Sequence, residues 1–82
     1  MAAKCDIFTY SSATDVSEVT LSNVDATDIN LLSINIETAG DVSAKDFRNN
    51  SGTATKCSIS GGKLLLGETV QSVTRIVVLQ AG

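Results

Sequence analysis

An all-β fold is what this sequence predicts: a small sandwich or barrel of about six to seven antiparallel strands, Greek-key or jelly-roll-like, in one domain over residues 1–82. Three observations carry the prediction. Apolar residues recur at every second position through much of the chain, the spacing that places them on one face of an extended strand. The apolar inventory is almost wholly Val, Leu and Ile, with Phe8, Tyr10 and Phe47 the only aromatics. Turn formers then break the pattern at close, even intervals, leaving room for little helix.

Taken in order, residues 4–10 alternate, with Cys5, Ile7 and Thr9 on one face and Asp6, Phe8 and Tyr10 on the other. Residues 11–15, Ser-Ser-Ala-Thr-Asp, read as a polar loop. Residues 17–24 form a second strand with Val19 and Leu21 inward. Residues 23–27 are a turn in which Asn23 and Asp25 can cap their own backbone. The third strand, residues 28–38, starts with Ile29 and Leu31 and continues with Leu32, Ile34 and Ile36. That change of parity predicts a bulge or bend near Leu31-Leu32. Residues 39–53 are the longest polar stretch, and 43–47 can form one helical turn with Ser43 as N-cap and Asp46 at the third position. Val42 and Phe47 then fasten it to the core. Residues 55–66 read as a hairpin about Gly61-Gly62, because paired glycines supply the positive φ of primed turns. Gly67-Glu68-Thr69 reads as another turn, and residues 73–79 as the last strand, entered from about Val70.

Composition narrows the function. A net charge of −3 with six scattered cations opposes phosphate-backbone binding, which needs clustered Lys and Arg, so no nucleic-acid partner is expected. No stretch approaches the roughly 20 apolar residues of a membrane-spanning helix, and no membrane partner is expected. The first residues carry no apolar leader, so the chain reads as made in the cytoplasm, with any later export by another route, such as packaging into an assembled particle. Cys5 and Cys57 each alternate with apolar neighbours and read as small buried residues; a disulfide joining the first strand to a late one is the alternative.

Chemistry-bearing motifs are few. With no His, the common general base and the Ser-His and Cys-His pairs are missing, and no catalytic residue, cofactor or metal is expected. Residues 25–30, Asp-Ala-Thr-Asp-Ile-Asn, have oxygen-ligand spacing but neither the central Gly nor the closing Glu of an EF-hand loop. Gly61-Gly62-Lys63 is followed by Leu64 and strand-like residues, which suits a hairpin and not a phosphate loop. Asn49-Asn50-Ser51 matches a glycosylation acceptor in form only.

What remains is an excess of apolar strand. Leu64-Leu65-Leu66 and Ile76-Val77-Val78-Leu79 are runs in which both strand faces are apolar. Either these strands are central, or one face is covered by another chain, because a domain of this size buries only about 60–65% of its unfolded surface. The sequence also has no Pro, a common blunting residue for sheet edges. The expected contact surface is therefore Leu64, Leu65, Leu66, Ile76, Val77, Val78 and Leu79, used for self-association and open to strand exchange. The segments 2–10 and 39–53 are candidates for partner contact, with Phe8, Tyr10 and Phe47 as their aromatics.

The order of features resembles that of short β-sandwich virion accessory proteins of tailed bacteriophages. The resemblance runs through Val19-Thr20-Leu21-Ser22-Asn23, residues 29–36, the polar insert 39–53, Leu65-Leu66-Gly67-Glu68-Thr69 and residues 76–79. It departs at Leu66, where such turns often carry Pro. What the resemblance implies is a non-enzymatic virion protein: a capsid decoration or cement protein that bridges coat subunits, with the major capsid protein and further copies of itself as partners. A neck or tail accessory is the nearest alternative. A small carbohydrate-binding or adhesin-type β-module is the other, for which Tyr10, Phe8 and Phe47 are the available aromatics.

Overall fold

Alternation shapes the architecture, but the strands it builds are longer than the apparent turns suggest. A computed structural model describes residues 3–46 and 57–81. Strand β1 is Lys4–Thr20, followed by a single 3-10 turn, Ile29–Leu31. Then come β2 (Leu32–Thr38), β3 (Asp41–Asp46), β4 (Ser58–Ser60) and β5 (Lys63–Gln80). All pairings are antiparallel. Along the sheet the order is β1-β5-β2-β3, and β4 pairs with the opposite end of β5. The last strand is thus the central one, which is why it can be apolar on both faces.

Among the described residues five strands stand where six to seven are expected: two expected turns are bulges, which merges four expected strands into two, and β3 adds one. Between the pairs Thr9↔Arg75 and Thr14↔Val73, residues 10–13 stand opposite Thr74 alone. The expected loop at 11–15 is therefore an outward bulge in continuous β1. Between Val16↔Val70 and Glu18↔Leu65, residues 66–69 stand opposite Ser17. The expected turn at 67–69 is a bulge in β5, made possible by Gly67 at φ 78°. A third irregularity sets Ser72 at φ 59°, and its N–H donates to Asp15 Oδ1 at 3.1 Å. These bulges bend the β1/β5 ribbon. Leu64, Leu66, Val16 and Val19 from one half join Ile76, Val78, Ile34 and Ile36 from the other in one core.

The expected helical turn at 43–47 is not formed over its described part. Residues 41–46 are strand, paired to β2 through Asn35↔Asp46 and Ile36↔Lys45. A sheet ladder outweighs one weak capping interaction. Phe47, and with it 47–53 of the polar insert and the acceptor at Asn49, lies outside the described residues. Other expectations hold. The chain changes parity through the 3-10 turn at Ile29–Leu31, after which Leu32, Ile34 and Ile36 are buried. The hairpin turns at Gly61 and Gly62, with φ 58° and 78°, between Ser60↔Lys63.

Candidate functional site

Across β1, β5 and β2 the register assigns side chains to two faces. The even-numbered residues Phe8, Ile76, Val78, Ile34 and Ile36 turn toward the core, and the odd-numbered ones turn away. Three cross-strand rows make up the outer face: Cys5–Leu79–Ser33, Ile7–Val77–Asn35 and Thr9–Arg75–Glu37. Ile7 is 60% exposed and Leu79 43%. Leu31, on the 3-10 turn beside them, is 41% exposed. These three are the exposed large hydrophobic side chains among the described residues, and they gather at one end of one face. A cavity of about 550 Å³ opens there, edged by Cys5, Leu31, Ser33, Leu79 and Ala81. At the far row Arg75 is ion-paired with Glu37, so the face carries no net charge among its three rows.

The expected contact residues therefore divide. Ile76, Val78, Leu64 and Leu66 are completely buried and belong to the core. Leu79 faces outward, and Val77 and Leu65 are half-buried. The physical reason is the alternation itself, which sends neighbours in an apolar run to opposite faces. Phe8 and Tyr10, expected as partner contacts, are half-buried and pack against the core. Leu31 completes the outer patch and was not singled out by sequence, whereas Cys5 and Ile7 fall in the segment 2–10 expected to meet a partner. The signal for Ile7 is its shared parity with Leu79 across the β1/β5 pair.

The inner side of the same end holds a buried polar clamp. Asp6 is 6% exposed, and its carboxylate accepts the backbone N–H groups of Ser22 (3.1 Å), Asn23 (3.0 Å) and Val24 (2.9 Å). Burial pushes the Asp6 carboxyl up, but the N–H donors of Val24, Asn23 and Ser22 together outweigh it and hold the group below its ordinary value. Gln80, 2% exposed, accepts the N–H groups of Asp25 and Ala26 through Oε1, both at 2.9 Å. Its Nε2 donates to Asp25 Oδ1 at 3.1 Å. Lys4 Nζ donates to Asp25 Oδ2 at 2.6 Å. Asn23 Nδ2 donates to the Cys5 carbonyl at 3.1 Å, and the Ala81 N–H donates to the Leu31 carbonyl at 3.0 Å. The segment after β1 is thus held by the first and the last strand; of the self-capping expected there, Asp25 keeps a hydrogen bond to its own backbone, while Asn23 turns to the Cys5 carbonyl.

These partners account for the acidic spacing at 25–30. The Asp25 carboxylate is taken by Lys4 and Gln80, which draw it below the usual carboxylate range. Among the described residues no group of three or more His, Cys, Asp or Glu is placed to hold a metal ion. No helix there is long and apolar enough to cross a membrane. Both cysteines are free: Cys57 is buried and its thiol is pushed up by that burial and by Glu68, while Cys5 is half-buried on the outer face. No protein-family model, curated protein or solved structure matches the chain.

Proposed function

We propose that the protein is a non-enzymatic structural module that works by adhesion: a decoration or cement protein that stabilises a phage shell by bridging coat subunits. The observation that carries this reading is the gathering of Ile7, Leu31 and Leu79 beside an apolar cavity at one end of the sheet. Contiguous exposed hydrophobic surface of this kind marks contact sites on small soluble domains. What supports a setting in a virion is that the order of strand, insert and Gly67-Glu68-Thr69 elements resembles that of short phage proteins. The finer architecture belongs to the same reading: bulges fold the two halves of the β1/β5 ribbon over one core as a minimal sandwich. Repetition around a shell multiplies modest single-site affinities.

A neck or tail accessory would use the same face in the same way. A sugar-binding module has less support, because Phe8 and Tyr10 pack inward and give no aromatic platform. The test is stoichiometry in particles purified from the producing host, for the native chain and for Leu79→Lys. The expected result is a fixed ratio of native chain to coat subunit and loss of the variant from the particle. A native chain that folds but stays wholly outside the particle refutes the reading.

A further inference from the structure

We infer that the outer face of β1–β5–β2 takes a second copy of this chain, packed sheet against sheet about a twofold axis. The inference rests on the reading of that face as a contact surface and names its occupant. Charge is the first reason. The chain carries −3, so two copies repel through most orientations, yet the charged pair on this face, Arg75 and Glu37, is already internally matched. Lys4, at the cavity wall, is likewise matched by Asp25. Two copies can therefore meet over the three rows of β1, β5 and β2 without opposing like charges.

Shape is the second reason. A twofold contact needs each surface to carry both a feature and its complement. Ile7 projects from the middle row, and one row away lies the hollow edged by Cys5, Leu31 and Leu79. With the copies antiparallel, Ile7 of each enters the hollow of the other. Edge-to-edge pairing through β1 is less favoured, because the Cys5 carbonyl is already capped by Asn23. Three strands by about six residues span roughly 14 by 20 Å, well under the ~800 Å² each partner gives a standard interface. The dimer is therefore weak and concentration-dependent, to be sought at dissociation constants on the order of 10 µM to 1 mM.

Sedimentation velocity on the full chain from about 10 µM to about 1 mM covers that range. The mass should rise from 8.5 kDa toward twice that value, and alkylation of Cys5, which the contact covers, should slow over the same interval. Ile7→Asp and Leu79→Lys, both at exposed positions, should each weaken association at least about tenfold while circular dichroism shows the fold intact. Gln71→Lys, exposed in the distant bulge, should leave it unchanged. A native chain still at 8.5 kDa at the highest concentration overturns the dimer, as does a dimer indifferent to both variants. A monomer that nevertheless attaches to particles through Leu79 removes the twofold contact and leaves the adhesive reading. A dimer that never attaches keeps the contact and removes that reading.

Discussion

Replacing Asp6 by Ala tests whether a single buried carboxylate holds the loop after β1. Its oxygens accept three consecutive backbone N–H groups, and a hydrogen bond to a charged group contributes about 1.5–3 kcal/mol. The three are not additive. Ser22 and Asn23 are exposed, and their N–H groups can turn to water; Val24 is 4% exposed and its N–H cannot. The loss therefore corresponds to one full orphaned donor plus part of two others, about 2–4 kcal/mol. For a domain of this size each kcal/mol moves the melting temperature by about 4–8 °C, so a fall of about 8–32 °C is expected. Asp6→Asn keeps one acceptor oxygen but turns an amide N–H₂ toward the donors, and should fall between native and Ala.

The pH dependence gives an independent check. The folded-state Asp6 carboxyl lies below its ordinary value, so its contribution is complete above the unfolded pKa of about 3.9 and is lost as pH falls through the folded value. Urea unfolding of native and Asp6→Asn chains should show a constant gap from pH 7 to about pH 5 that narrows below about pH 4. Asp25 titrates in the same direction and steepens the acid loss in both chains equally. A cost for Asp6→Ala under about 1 kcal/mol at neutral pH, or a gap that stays constant into strong acid, would refute the clamp.

Gln80→Ala should cost about 1–3 kcal/mol and abolish exchange protection at the Asp25 and Ala26 amides while sparing Val24, as read by amide exchange. Gly67→Ala forces an L side chain to φ 78° and should cost about 1 kcal/mol, visible as a lower urea midpoint; an unchanged midpoint counts against the bulge. Maleimide labelling of the dilute native chain should modify Cys5 and reach Cys57 only on unfolding, since Cys57 is buried and its thiol is held protonated; equal rates at the two sites would contradict this.

How much of this was legible depends on whether a feature is local. Leu32, Ile34 and Ile36, the break before them and the Gly61-Gly62 hairpin are written in neighbouring residues, and each was readable. The bulges were not. Ser11-Ser12-Ala13-Thr14-Asp15 and Gly67-Glu68-Thr69 have the composition of turns, and only the continuing partner strand distinguishes a bulge from a loop. Strand β3 was hidden for the same reason, its pairing to β2 outweighing a capping pattern. At the site, the apolar excess of residues 76–79 was plain, but which of them face out was not. Cys5 read as a small buried residue, yet it is half-buried on the outer face and its neighbour Asp6 lies inside. The burial of Asp6 depends on N–H donors 16 to 18 residues away.

That inversion ties the clamp to the contact face. At this end of the sheet the polar residues Asp6 and Gln80 are inside, while Ile7 and Leu79 are outside. Burial of Ile7 alone favours the opposite arrangement by about 1.5–3 kcal/mol, but a one-residue slip of β1 that turns Ile7 inward also turns Phe8 away from the core, a loss of similar size. Such a slip would also strip the acceptor from Ser22, Asn23 and Val24 and carry a carboxylate to the other face, losses of equal or greater size. The buried polar groups thus specify the register, and the register keeps the adhesive residues outward. It follows that Asp6→Ala should weaken association although Asp6 never touches the partner, whereas a Gly67→Ala chain of lowered stability should associate normally.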